Sequence, residues 1–140
     1  MKDKRTILLI DDDTVDVMTV KRSFKELGYS VVFMVAGDGE QALELLEAAG
    51  EALPSLILLD LNMPRMNGIE LLEHLKTNQR YRKIPVIVLT TSNDESDRFR
   101  TFQHSIAGYM VKPVEYVKYK QLLATIGEYW STSMLPPGLV

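Results

Sequence analysis

Five short apolar runs, each separated from the next by a longer amphipathic stretch, restrict the folds open to this chain more than any other feature. They are Ile7-Leu8-Leu9-Ile10, Val31 to Val35, Leu56-Ile57-Leu58-Leu59, Val86-Ile87-Val88-Leu89 and Gly108-Tyr109-Met110-Val111. Continuous rather than alternating apolar runs read as strands buried on both faces, which is the habit of parallel sheets. The stretches between them carry helical spacing. Val17, Val20, Phe24 and Leu27 predict a helix from about Val15 to Leu27, closed by Gly28. After the turn Gly37-Asp38-Gly39, a second stripe holds Ala42, Leu45, Leu46 and Ala49, with Gly50 near its end. A third holds Ile69, Leu72 and Leu75, with Leu71 flanking. Asn93 or Asp94 caps a fourth helix, in which Phe99, Phe102 and Ile106 are three and four residues apart. A last helix runs from about Tyr116 to Trp130 and carries Leu122, Leu123 and Ile126. Strand–helix–strand crossovers make the strands parallel, so the expected architecture is a three-layer α/β domain with helices on both faces.

The chain has 140 residues, the size of one domain, and can bury about two thirds of its unfolded surface without a disulfide or structural metal. It has no cysteine, which excludes thiol catalysis and cysteine-based zinc clusters. The formal net charge of -3 gives no general attraction to nucleic acid or anionic membrane. Arg80, Arg82 and Lys83 around Tyr81 read as a solvated loop rather than a phosphate-backbone patch. No apolar run approaches the roughly 20 residues that span a bilayer, and the polar start, Met1 to Thr6, is no secretory signal. The expectation is a cytoplasmic protein with no nucleic-acid or membrane partner.

In a parallel sheet the residues after each strand gather at one edge, where ligands bind. Asp11, Asp12 and Asp13 follow the first run, Asp60 the third, Thr90 the fourth and Lys112 the fifth. Taken singly, an Asp after a strand is a turn residue or cap, Thr90 a strand-end residue, and Lys112 a loop lysine. Together they make a site. Carboxylates at close range repel one another and call for a cation. Hard oxygen ligands with open water positions favour Mg²⁺. A carboxylate can also attack phosphorus to give an aspartyl phosphate, with a metal, an ammonium and a hydroxyl offsetting the phosphoryl charge.

These residues resemble the receiver (CheY-like) domains of two-component response regulators over about Thr6 to Trp130. The resemblance rests on Ile10-Asp11-Asp12, on Leu59-Asp60-Leu61-Asn62-Met63-Pro64 with Gly68, on Leu89-Thr90-Thr91-Ser92, and on Gly108-Tyr109-Met110-Val111-Lys112-Pro113. It implies a flavodoxin-like sheet of five parallel strands in the order 2-1-3-4-5 with five helices. It also implies one receiver domain over residues 1–140, with a core of about 6–130 and a C-terminal extension at 131–140. Asp60 is then the phosphoacceptor. Asp11, Asp12, Asp60 and the backbone carbonyl of Asn62 hold Mg²⁺. Thr90 and Lys112 close on the phosphoryl group, and Thr90 and Tyr109 form the switch. The Lys112-Pro113 bond resembles the family's cis peptide. Asn62 and Ser92 flank the water that hydrolyses the acyl phosphate, and Thr91 narrows access to it. Such a protein catalyses only its own phosphorylation and dephosphorylation, takes phosphate from a sensor histidine kinase, and signals through protein contacts.

A narrower resemblance, to single-domain regulators paired with phytochrome-type kinases, rests on Lys83-Ile84-Pro85-Val86-Ile87-Val88-Leu89-Thr90-Thr91-Ser92 and Glu128-Tyr129-Trp130. It implies a homodimer through the face formed by the fourth helix, fifth strand and fifth helix. The polar Ser131-Thr132-Ser133 departs from that subgroup, which often continues apolar. Tyr129, Trp130, Met134 and Leu135 form either a partner patch or a tail folded over its own core. The roughly ten residues after Trp130 leave no room for an output domain. Two other functions fit parts of the pattern. A Mg²⁺-dependent phosphohydrolase with an aspartyl nucleophile wants a second carboxylate where Asn62 stands. A receiver-like binding module without phosphorylation would not need all the pocket residues. A flavodoxin-like nucleotide binder lacks its Gly-rich phosphate loop after the first run.

Overall fold

The computed structural model describes residues 5–140. The polar lead at residues 1–4 lies outside the described residues. The elements alternate as β1 (Arg5–Ile10), α1 (Thr14–Glu26), β2 (Val31–Ala36), α2 (Gly39–Ala49), β3 (Leu56–Leu59), α3 (Gly68–Thr77), β4 (Val86–Thr90), α4 (Glu95–Phe102), β5 (Gly108–Val111) and α5 (Tyr116–Thr132). The strands form one five-stranded sheet in the order β2-β1-β3-β4-β5, and every pairing is parallel. This is the flavodoxin-like order that the sequence motifs imply.

The three central runs, β1, β3 and β4, work as two-faced strands, whereas β2 and β5 lie at the sheet edges and are mostly half-buried or exposed, so the expected burial on both faces does not hold for them. Leu8 and Ile10 of β1, Ile57 and Leu59 of β3, and Val86 and Val88 of β4 pack with Ala42, Leu46, Leu71, Leu72 and Leu75 on one face. Ile7 and Leu9, Leu56 and Leu58, and Ile87 and Leu89 pack with Val20, Phe24, Leu123, Ile126 and Trp130 on the other. Each fully buried aliphatic side chain contributes roughly 1.5–3 kcal/mol by leaving water. Alternating residues therefore hold both helix layers to the sheet. Side chains cap most helices: Asp13 caps α1, Asp38 caps α2, Asn67 and Glu70 form a capping box on α3, and Asp94 caps α4.

Two segments differ from the spacing argument. Phe99 and Phe102 of α4 point to solvent, 66% and 53% exposed, while Thr101 is the buried residue of that helix. The helix stops at Phe102, so Ile106 reaches the core from the following turn. The C-terminal candidates separate. Trp130 is core, edge-on to Phe24, and its Nε1–H donates to Ser55 Oγ at 3.0 Å. Tyr129 and Met134 are exposed. Beyond α5 the chain returns under the sheet, where Leu139 bridges Leu53 and packs on the core. The basic loop is tethered as well: Lys83 donates to the Pro137 carbonyl and the Arg80 guanidinium lies over the Tyr81 ring.

Register sets the strand ends level. Ile10 lies beside Ala36 and Leu59, Leu59 beside Val88, and Thr90 beside Val111. The residues that follow these positions share one edge.

Candidate functional site

Asp60 follows directly on β3, and its N–H donates to Ile10 O at 2.9 Å, which locks it against the end of β1. Lys112 follows β5, with its N–H on Thr90 O at 2.8 Å. Asp11, Asp60, Thr90 and Lys112 are all buried, and Asp12 stands exposed at the rim. Burial of so many polar groups is tolerable only if each is satisfied.

The satisfaction is specific. The Thr90 hydroxyl donates to Asp60 Oδ1 at 2.8 Å, and the Asn62 N–H donates to the same oxygen at 3.3 Å. The other carboxylate oxygen, Oδ2, faces Lys112 Nζ at 3.4 Å. Lys112 makes shorter bonds to Asp11 Oδ2, at 2.7 Å, and to Asp16 Oδ2, at 2.9 Å. Asp11 also accepts the Asp13 N–H at 2.9 Å. Oxygens from Asp11, Asp12 and Asp60 all lie within 4.8 Å of one another, an all-oxygen donor set suited to a hard metal ion.

The protonation pattern follows from burial and pairing. Burial pushes the Asp11 carboxyl up to about 6, with hydrogen bonds from Lys112 and Asp13 pulling the other way. Burial alone would lower Lys112. Hydrogen bonds to Asp11 and Asp16 and the nearby Asp60 charge outweigh it, so the ammonium is held above its ordinary range and stays charged. Three carboxylates around one ammonium, with Asp12 beside two of them, leave the pocket negative, a field that attracts a cation.

Tyr109 is half-buried at the adjoining loop. Its hydroxyl donates to Ser92 O at 2.9 Å, and the Ser92 N–H donates to Thr90 Oγ1 at 3.3 Å. A chain of hydrogen bonds thus runs from Asp60 through Thr90 and Ser92 to Tyr109. Ser92 Oγ in turn donates to Asp97 of α4 at 2.6 Å.

The Lys112–Pro113 bond is trans, as are all peptide bonds among the described residues. The expected cis bond is therefore corrected. The trans form is the ordinary preference of an X–Pro bond, and with it Lys112 still reaches three carboxylates. The spacing argument also missed two residues. Asp16 reads in the sequence as an ordinary first-turn acid favoured by the helix dipole, and nothing marks its reach to Lys112. Tyr119 of α5 places a buried hydroxyl near the cluster with no hydrogen-bond partner among the described residues. Burial raises its pKa, so it keeps its proton.

A parallel sheet with an acidic, lysine-closed pocket at its carboxyl edge defines an α/β domain suited to phosphoryl chemistry on an aspartate, and comparison with known proteins gives the family. Residues 7–125 match the response regulator receiver domain model. The chain belongs to the response regulator receiver domain family. It is 36% identical over 140 residues to the probable methanogenesis regulatory protein FilR2 of Methanothrix harundinacea, covering 98% of this chain and 90% of that one. Among solved structures it is similar to the phosphorylated cyanobacterial phytochrome response regulator RcpA. That match has a TM-score of 0.90 and 30% identity over 96% of this chain and 99% of the other. It is also similar to the Mn²⁺-bound form of the response regulator Rcp1, with a TM-score of 0.87 and 32% identity over 94% and 99%.

Proposed function

We propose that this chain is a stand-alone response regulator of the cytoplasm, a single receiver domain with a core of about 6–130 and an extension at 131–140, whose Asp60 accepts a phosphoryl group from a histidine kinase. The observation that carries the reading is the constellation on Asp60: a hydroxyl at 2.8 Å on one oxygen and an ammonium at 3.4 Å from the other.

One Asp60 carboxylate oxygen attacks the phosphorus of a kinase phosphohistidine. An O–P bond forms, the P–N bond breaks, and the imidazole keeps the electron pair. Lys112 and Thr90 donate to the phosphoryl oxygens and hold them as the charge shifts. Asp11, Asp12, Asp60 and the Asn62 carbonyl would hold Mg²⁺, which when bound supplies further positive charge against those oxygens. The all-oxygen donor set supports a hard dication, as does similarity to a regulator solved with Mn²⁺. Asn62 in place of a carboxylate supports a site without its own general acid, so the catalysis is limited to the chain's own phosphorylation and dephosphorylation.

Phosphorylation draws Thr90 towards the phosphoryl group and releases Tyr109 to reshape the face of α4, β5 and α5. Phe99, Phe102, Val111 and Val117 are exposed on those elements or their ends, and support homodimer formation there. Similarity to RcpA supports a phytochrome-type kinase as the donor.

Mass spectrometry after treatment with acetyl phosphate and Mg²⁺ tests the reading. The expected product is a phosphoryl group on Asp60, lost in Asp60→Asn. Its absence from the native chain would leave a receiver-like binding module.

A further inference from the structure

Lys112 has one carboxylate partner that the metal and phosphoryl roles do not require. Its Nζ lies 2.7 Å from Asp11, 2.9 Å from Asp16 and 3.4 Å from Asp60, and its side chain is only 4% exposed. An ammonium has three protons, and three acceptors take them one for one. Asp11 and Asp60 also belong to the oxygen cluster that suits a cation, whereas Asp16 does not. A cation that draws on Asp11 and Asp60 therefore leaves Asp16 as the lysine's own carboxylate.

Asp16 is well placed to be a fixed point. It sits in the first turn of α1, where its N–H donates to Asp13 Oδ1 at 3.3 Å. The Asp13 N–H in turn donates to Asp11 at 2.9 Å. Residues 11 to 16 thus form one hydrogen-bonded unit joining the end of β1 to α1. A lysine stem is long and flexible, and a single partner leaves it much freedom.

We propose that Asp16 is a positioning residue that anchors Lys112 from α1, so that the lysine's remaining donor stays aimed at Asp60 and at the phosphoryl group formed there. The proposal rests on reading Asp60 as the phosphoacceptor. When Asp60 becomes an acyl phosphate its carboxylate charge is lost. The long Lys112–Asp60 contact is then the one exchanged for a phosphoryl oxygen, and the Asp16 bond persists through the transfer.

Two substitutions in the full chain test it. Asp16→Ala removes the anchor, while Asp16→Asn keeps an oxygen that can accept one lysine proton. The first measurement is hydrogen exchange of the Lys112 ammonium by nitrogen-15 NMR, without phosphodonor. Asp16→Ala is expected to speed exchange about tenfold or more, with Asp16→Asn close to the native protein. The second is the initial rate of Asp60 phosphorylation by acetyl phosphate at saturating Mg²⁺. Asp16→Ala is expected to be slower by about tenfold and Asp16→Asn by less than about threefold. Native exchange in Asp16→Ala overturns the anchor, and faster exchange with an unchanged rate overturns its part in transfer. If the native chain takes no phosphate on Asp60, the phosphoacceptor reading fails. The ammonium exchange then still decides whether Asp16 holds the lysine.

Discussion

The Thr90 hydroxyl donates to Asp60 Oδ1 at 2.8 Å across the ends of two neighbouring strands, and Thr90 is fully buried. The same hydroxyl oxygen accepts the Ser92 N–H at 3.3 Å. One atom therefore serves both the acidic pocket and the loop that leads to α4. Thr90→Val keeps the shape and removes both bonds. It is expected to destabilise the fold by about 1–3 kcal/mol, because the buried Asp60 carboxylate and the half-buried Ser92 N–H each lose a partner. Phosphorylation of Asp60 should slow by roughly tenfold or more, since a donor aimed at the phosphoryl oxygens is gone. Urea denaturation and acetyl phosphate kinetics read the two effects separately. A variant as fast as the native chain would remove Thr90 from the transfer step.

Asp12 differs from Asp11 and Asp60 in being exposed, while its carboxylate still comes within 4.8 Å of theirs. Its value lies in charge rather than packing. Asp12→Ala is expected to leave stability within about 0.5 kcal/mol. Divalent-ion affinity should fall about 10- to 100-fold, carrying the phosphorylation rate down with it. Titration calorimetry with Mg²⁺ checks this, and unchanged affinity would remove Asp12 from the metal site.

Burial pushes the Asp11 carboxyl up to about 6, and this gives the pocket a pH signature. An acid raised in the folded state favours its protonated form there. Without a cation, the fold therefore loses stability as pH rises from the ordinary aspartate range through about 6. A cation requires the ionised form and must displace that proton. Apparent Mg²⁺ affinity should be flat above about pH 7 and fall as pH drops below about 6, approaching tenfold per unit. Calorimetry across this range tests the sign, and an affinity that rises on acidification contradicts it.

Much of this site is legible in the sequence because a parallel sheet converts strand ends into neighbours. Asp11, Asp60, Thr90 and Lys112 each follow or end an apolar run, and burial on both faces makes the first three of those runs plain. Helix rotation is harder to read. Phe99 and Phe102 have core-like spacing, yet α4 turns them outward and buries Thr101. Apolar spacing alone does not show such contacts as the Ser92 hydroxyl donating to Asp97 at the start of α4. Asp16 is hidden for a similar reason. Its partner is 96 residues away, and its position in a first helical turn already has a local explanation.

Gly68 opens α3 against the backbone of the Asp60 segment. A Cβ there would meet Asp60 O at 2.7 Å and Leu61 Cα at 2.7 Å, and these atoms cannot swing aside as a flexible side chain would. Alanine gains up to about 1 kcal/mol over glycine inside a helix, and overpacking costs about 1–3 kcal/mol. The clash should win. Gly68→Ala is expected to destabilise by about 1–2 kcal/mol net and to slow Asp60 phosphorylation by moving the loop at residues 61–67. Denaturation and phosphorylation kinetics measure both. A stabilised variant with native kinetics would mean that α3 can draw back without disturbing Asp60.

The Tyr109 hydroxyl bond to Ser92 O, at 2.9 Å, ties the ring to the loop two residues beyond Thr90. Tyr109→Phe removes only that bond and keeps the ring. The pocket is untouched, so Asp60 phosphorylation should stay within about twofold of native. The loop no longer holds the ring in the position that it occupies without phosphate. A ligand or modification moves an equilibrium only by its differential contacts with the two states. With the tether gone from one state, phosphorylation should change self-association less than in the native chain. Sedimentation with and without acetyl phosphate and Mg²⁺ measures that difference. A native-sized shift in Tyr109→Phe would mean that the hydroxyl plays no part in the switch.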